Sequence, residues 1–394
     1  MIAHETDQLT RRLVAIRRDI HAHPEIGHAE HRTTRLIVNT LAEAGLDATV
    51  LPVGTGAQCE VVPADFDRSQ GLIGLRADID ALPIQDGKDV SYASVNPGVC
   101  HACGHDVHAA IVLGVGLVLA RLRDQGLLKR GVRLIFQPAE ETSPGGALDA
   151  IAGGVLKDLT EVYALHCDPR TDAGQLALKV GAITSAVDRV RVTLTGSGGH
   201  TSRPHLTADL VGALGALATS APLLLTRRVD PRSGVSLIWG RINAGSVANA
   251  IPQTGEIEGT LRALDENGWR TAQELIPEIL TQIAAPYGVG IDVNVTEGVP
   301  PAVNHAEGVD RLHTSALTML GPAGIAHTDQ SLGGEDFAWM LLQVPGALAR
   351  LGVRTPGALS TPDIHQPTFV VDERCIPVGV KVLSELASSA AVPL

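Results

Sequence analysis

The chain is expected to fold as an α/β protein: a metal-binding α/β domain with a mostly parallel sheet, interrupted by a ferredoxin-like α+β domain. Three observations carry this. Strand-like and helix-like segments alternate through residues 9–165, the pattern of a layered domain built on a parallel sheet. Over residues 190–295 the order becomes β-α-β-β-α-β, that of a ferredoxin-like unit. At 394 residues the chain is too long for one ordinary core.

The elements follow in order. Leu9, Leu13, Ile16 and Ile20 recur at helical spacing until Pro24 stops the run, and Leu36, Ile37, Leu41 and Ala44 repeat the pattern before Gly45. Between these helices, His21-Ala22-His23-Pro24-Glu25 reads as a surface cap, with a metal-binding His pair as the alternative. Short apolar runs predict strands at 58–62, 72–75, 132–136 and 161–165, with helices at 106–122 and 147–152. A pattern change near residue 186 opens the inserted unit. It comprises strand 190–194, helix 208–218, strands 234–240 and 255–261, helix 269–284 and strand 291–295. Turn-rich stretches at both ends bound it at 185–298, as a dimerisation or lid domain, leaving 1–184 and 299–394 as one discontinuous catalytic domain. Helices at 309–320, 336–343 and 378–387 complete the latter.

The chemistry concentrates in Cys100-His101-Ala102-Cys103-Gly104-His105-Asp106-Val107-His108, five thiol or imidazole groups in nine residues. Thiolate sulfur and neutral imidazole nitrogen suit borderline divalent ions such as Zn²⁺, and a neighbouring carboxylate such as Asp106 can fix a ligating ring in one tautomer. Cys103 and His105 are therefore the first two candidate ligands. Cys100 and Cys103 also form a C-x-x-C pair, as a redox dithiol or half of a four-cysteine zinc site would. The remaining cysteines, Cys59, Cys167 and Cys375, supply no second pair. A dithiol would also leave two neighbouring histidines unexplained. His101 and His108 themselves read as incidental residues of a capped helix.

Open α/β sheets bind ligands beyond the carboxyl ends of their strands. Strand 72–75 runs into Asp78 and Asp80, strand 132–136 into Gln137-Pro138-Ala139-Glu140-Glu141, and strand 161–165 into His166. All three would face one crevice with Cys103 and His105. Ligands drawn from separate segments favour a catalytic over a structural site.

Several blocks then occur in one order: Gly74-Leu75-Arg76-Ala77-Asp78-Ile79-Asp80-Ala81-Leu82-Pro83, His101-Ala102-Cys103-Gly104-His105-Asp106, Gln137-Pro138-Ala139-Glu140-Glu141, Gly198-Gly199-His200 with Pro204-His205, Gly259-Thr260-Leu261-Arg262, Gly334-Glu335-Asp336-Phe337 and Ile364-His365. Together they resemble the dinuclear-metal amidohydrolases related to aminoacylases and carboxypeptidases, the group of hippurate, aminobenzoyl-glutamate and auxin–amino acid conjugate hydrolases. The resemblance covers nearly the whole chain. It implies Cys103, His105, Glu141, His166 and His365 as ligands of two divalent ions, with Cys103 bridging. Zn²⁺ or Mn²⁺ is expected there, with Co²⁺ or Ni²⁺ as alternatives. It further implies Glu140 as the carboxylate that moves protons and His200 as the donor to the tetrahedral oxyanion, reaching a neighbouring subunit. Arg262 and Asn249 would bind substrate, Arg262 through its two-pronged fit to a carboxylate. Asp78, Asp80 and Asp106 would orient the ligands. Two positions depart from the pattern: Cys100 stands where an apolar residue such as Met is expected, and Gln253 replaces the Asp of an Asn-x-Ile-Pro-Asp segment.

The implied activity is metal-dependent hydrolysis of the amide in an N-acyl amino acid or related conjugate by a homodimer. A dipeptidase or aminopeptidase of the same fold is the rival within enzymes, and a non-catalytic metal or conjugate-binding protein the rival outside them. A net charge of −12 without a Lys/Arg-rich stripe argues against nucleic acid. No uninterrupted apolar run approaches the ~20 residues of a bilayer span. The first residues lack the apolar core of a signal peptide, so a cytoplasmic protein with reduced or metal-bound cysteines is expected.

Overall fold

In the computed structural model, which describes residues 1–389, the opening apolar repeat forms α1 (Ile2–Ala22) and buries Leu9, Leu13 and Ile20. Then come α2 (His31–Ala42), β1 (Ala48–Val50), β2 (Ala57–Val61), β3 (Leu72–Asp78), α3 (His105–Asp124), β4 (Gly131–Gln137), α4 (Ala147–Ala152), β5 (Leu159–Asp172) and β6 (Leu176–Leu178). The inserted part holds β7 (Ala186–Thr195), α5 (Leu210–Arg228), β8 (Ser236–Ala244), β9 (Thr254–Ala263), α6 (Glu266–Ala284) and β10 (Gly290–Val299). The chain ends through α7 (Ala306–Leu320), β11 (Ile325–His327), β12 (Gly346–Arg354) and α8 (Cys375–Ser388).

The larger unit is Met1–Ile183, Val303–Gln330 and the residues from Asp336 onward; the smaller is Thr184–Ala302 with Ser331–Glu335. These bounds differ from the expected 185–298 by one residue at the start and four at the end. The return of 331–335 to the smaller unit has no counterpart in the sequence pattern.

In the larger unit one sheet runs β1-β2-β4-β3-β5-β12-β6-β11. Its centre, β4-β3-β5-β12, is parallel, with β1 and β2 antiparallel at one edge. Every residue of β3 and of β4 is buried, as strands covered on both faces must be. α3 packs against α1 and α8 and buries nearly its whole circumference, so apolar residues run around it rather than along one stripe.

The smaller unit has an antiparallel sheet in the order β8-β9-β7-β10, the ferredoxin-like arrangement. Alternate residues of β7, among them Val190, Val192 and Leu194, turn inward to meet Leu214 and Leu217 of α5 and Ile276 and Leu280 of α6. Among the described residues of this unit, α5 and α6 cover one face of the sheet.

Two expectations change. The helix expected over 336–343 is reduced to Ala338–Leu341, and the strand that follows it, β12, was not anticipated although it lies inside the sheet. Among the described residues, two helices reach by length and composition what a membrane span requires: α3, which is buried as a core helix, and α5, which is mostly exposed.

Candidate metal centre

The site begins where β3 ends. Asp78, fully buried, accepts from His108 Nδ1 at 2.6 Å and from Arg76 Nη1 at 2.7 Å. Arg76 also donates to Gln137 Oε1 at 2.9 Å and Asp336 Oδ1 at 2.8 Å, so its buried charge is held by groups of β3, of β4 and of the loop that carries Asp336. Burial would raise the Asp78 carboxyl, but the charges of His105, Arg76 and His108 outweigh it and hold the group well below the usual carboxylate range.

α3 starts from Gly104, whose φ of 93° lies in the left-handed region that favours glycine. A Cβ there would also stand 2.7 Å from Cys167 Sγ. This turn makes His105 the first helical residue and brings its Nδ1 to Asp80, 3.0 Å from the backbone oxygen and 3.1 Å from Oδ1. With the proton on Nδ1, Nε2 presents its lone pair to the crevice. That atom is buried without a hydrogen-bond partner, 3.8 Å from Glu140 Oε2 and 3.8 Å from Glu141 Oε1. Burial would lower the His105 pKa, yet Asp78 chiefly drives it well above the usual value, so a cation binding at Nε2 would displace a proton from that atom.

Other elements bring the remaining groups. His166 on β5 donates Nδ1–H to the Cys167 carbonyl at 2.8 Å and sets Nε2 3.6 Å from Cys103 Sγ. Burial, reinforced by Arg350, pushes this imidazole well below its ordinary pKa and keeps it neutral, the form that ligates. His365 sits at a φ of 64° with its N–H on the Ala102 carbonyl at 2.7 Å, and its Nε2 lies 3.2 Å from Glu141 Oε1. One donor atom each from Cys103, His105 and His166 fall within 4.8 Å of one another, and so do those of Cys103, Glu141 and His365. The five expected ligands thus form two triads that share Cys103. The same limit holds for His105, Glu140 and Glu141.

These groups fit a divalent cation. His105 Nε2 is a buried polar atom with no hydrogen-bond partner, and it faces Glu140 and Glu141 in the cluster. The Cys103 thiol, which burial pushes well up, would be stabilised as thiolate by a cation. Sulfur, imidazole nitrogen and carboxylate oxygen together suit a borderline divalent ion.

Three sequence readings need correction. Asp106 does not hold a ligating imidazole: its Oδ2 lies 2.6 Å from His21 Nδ1 and 2.7 Å from Arg17 Nε. One step along a helix rotates a side chain by about 100°, which turns Asp106 away from His105. Asp80 takes that role. His21 is no surface cap but is fully buried. His108 is no incidental residue, since its Nε2 accepts the Cys167 N–H at 2.9 Å while Nδ1 serves Asp78. Its signal was the three-residue spacing from His105 on one helix, which shares a face. Cys100 is buried, exchanges backbone hydrogen bonds with Leu82, and belongs to no such donor group among the described residues.

The other expected site residues lie in the smaller unit. His200 is exposed on a short ribbon in which it pairs with Ala250, next to Asn249, and its Nδ1 accepts from Ser202 N–H at 3.0 Å. The Asn249 carbonyl accepts Thr201 N–H at 3.2 Å. Arg262, on β9, donates to the Leu332 carbonyl and lies 3.5 Å from Ser185 Oγ.

Residues 74–389 match the model of the peptidase family M20/M25/M40. The chain belongs to this family. It is 36% identical over 374 residues to the N-acetyl-L-cysteine deacetylase of Bacillus subtilis, covering 93% of the chain and 85% of that protein. A crystal structure of a dinuclear metal binding peptidase from the M20 family of Bacillus subtilis superposes with a TM-score of 0.83 at 31% identity, covering 97% of this chain and 98% of that one. A Rhodococcus jostii protein with the provisional name glutamate–cysteine ligase 2-3 is 43% identical over 95% of the chain, but the chain spans only 46% of its length. This M20-family chain is a metal-dependent amide hydrolase, and the cluster around Cys103 is where its residues fit a divalent metal.

Proposed function

We propose that the chain hydrolyses N-acyl amino acids or close conjugates, releasing a carboxylic acid and a free amino acid, with two divalent ions, Zn²⁺ or Mn²⁺, per chain. The observation that carries the reading is the pair of donor triads joined at Cys103, with Glu140 Oε2 3.8 Å from His105 Nε2. Five ligands plus water are too many for one tetrahedral centre. Cys103, His105, Glu141, His166 and His365 would hold the ions. Bound there, the metal supplies a Lewis acid for the scissile carbonyl and lowers the pKa of water toward ~7.

The chain's own residues do the rest. Glu140 removes the proton from the attacking water and passes it to the leaving amine, a carboxylate role that its neighbour Glu141, held as a ligand, cannot share. His200 donates to the oxyanion of the tetrahedral intermediate, from the partner subunit of a homodimer. Arg262 and Asn249 bind the amino-acid part, Arg262 through the free carboxylate. The B. subtilis relative named a deacetylase of N-acetyl-L-cysteine supports an acylated amino acid as substrate.

The test is release of amino acid from a panel of N-acyl amino acids and free-amine dipeptides. Chelated protein is expected to be inactive, and reconstitution to restore turnover of acylated substrates at close to two ions per chain. Activity in fully chelated protein, or turnover of free-amine dipeptides alone, would overturn the reading.

A further inference from the structure

Glu140 sits in a loop whose backbone is gripped from both sides. After it, the Glu141 N–H donates to Asp80 Oδ2 at 3.0 Å. Before it, the Ala139 N–H donates to Glu30 Oε1 at 2.8 Å. Ala139 is buried and has a φ of 56°, a left-handed conformation that is unfavourable for an alanine and persists only where surroundings enforce it. Its carbonyl accepts from Gly146 N–H at 2.8 Å and Thr142 Oγ1 at 2.9 Å. Gly27 closes the other side, because a Cβ there would stand 2.8 Å from Thr142 Cγ2 and 3.1 Å from Ala139 Cα.

Glu30 is unusual in how it uses its side chain. It stands at the N-cap of α2, a position where Ser, Thr, Asp or Asn ordinarily bonds its own helix, and it makes no cap hydrogen bond. Glu25 does that work, accepting Arg32 N–H and Thr33 N–H at 2.8 Å each. Glu30 is fully buried and reaches 109 residues along the chain to Ala139.

We infer that Glu30 is a positioning residue for the reaction: by holding the Ala139 N–H it fixes the left-handed turn that aims Glu140 at the metal cluster. The inference rests on the reading of Glu140 as the proton-transferring carboxylate. Acceptance by Oε1 does not depend on charge, and burial pushes the Glu30 carboxyl up, so a Gln in its place can keep the bond.

The experiment measures kcat, KM and metal content for metal-loaded Glu30→Ala, Glu30→Asp, Glu30→Gln and Glu140→Gln, and for Glu30→Ala combined with Glu140→Gln. Glu30→Ala should lose about 10²-fold in kcat, the scale of a misplacement near 1 Å, with KM and metal content nearly unchanged. Glu30→Asp, which keeps the carboxylate but loses reach, should fall about tenfold, and Glu30→Gln should recover most of the rate. The double variant should be no slower than Glu140→Gln alone, because both act through one carboxylate. Should Glu30→Ala fail to fold, Glu30→Asp decides: an unchanged kcat overturns the proposal. So do equal losses in the Gln and Asp variants, or losses that track metal release. A fully active Glu140→Gln would instead remove the underlying reading of Glu140.

Discussion

Cys103 is the residue on which the centre turns, since it belongs to both donor triads while Cys100, three residues earlier, belongs to neither. Cys103→Ala should therefore cut metal content from about two ions to below one, and Cys100→Ala should leave it near two; elemental analysis after dialysis checks both. The reverse result would invert the assignment within the stretch. Of the five candidate ligands, Cys103 and His105 stand out in a dense His/Cys stretch and Glu141 and His166 follow expected strands, whereas His365 is reached only through the order of the resembling blocks. Glu30, His21 and Arg76 were not readable. Their buried partners lie on distant segments, and such pairs leave no spacing in the chain: His21 finds Asp106 85 positions away, Arg76 finds Asp336 260 positions away, and Glu30 finds Ala139 109 positions away.

At the scale of elements, the helices and strands with clear periodicity lie close to where the pattern puts them, while β12 does not. Its sequence, Gly-Ala-Leu-Ala-Arg-Leu-Gly-Val-Arg, is short of β-branched residues, and it becomes a strand because β5 and β6 pair with it on either side. In the smaller unit, Asp188 on β7 ties three elements: Trp269 Nε1 donates to it at 2.6 Å, Gln273 Nε2 at 2.8 Å and Gly298 N–H at 2.9 Å. Burial nevertheless dominates these bonds and raises its pKa above the usual value. Between about pH 3.8 and that higher folded pKa, the unfolded chain has released the proton and the folded chain has not, so this group's contribution to stability falls as pH rises through the window. Asp188→Asn, which cannot ionise, should flatten that dependence, whereas Asp188→Ala removes the acceptor and should cost about 1–3 kcal/mol per lost buried bond. Urea midpoints from pH 3.5 to 6.5 check this; a wild-type-minus-Asn difference that rises with pH would contradict it.

At the scale of the whole molecule, the surface of the smaller unit bears on assembly. β8 is an edge strand of the smaller sheet, with Ile238 and Ile242 exposed along it, and α5 exposes Val211, Leu223 and Leu224. An exposed edge with unpaired backbone groups beside an uncovered apolar helix is a surface that soluble proteins seldom leave bare. A second copy of the chain is the occupant proposed here, and His200 would then act in the partner's site. Mixing Glu140→Gln protomers with His200→Ala protomers under conditions of subunit exchange should regenerate activity, because one of the two sites in a mixed dimer would contain both intact groups. With half of the dimers mixed and one good site in each, recovery should approach about a quarter of wild-type turnover, provided that exchange is complete and the sites act independently. Sedimentation should show a dimer, and Ile238→Lys should shift it toward monomer while leaving metal content near two ions per chain. Exchange demonstrated without any recovery would place His200 in its own chain's site or outside the reaction.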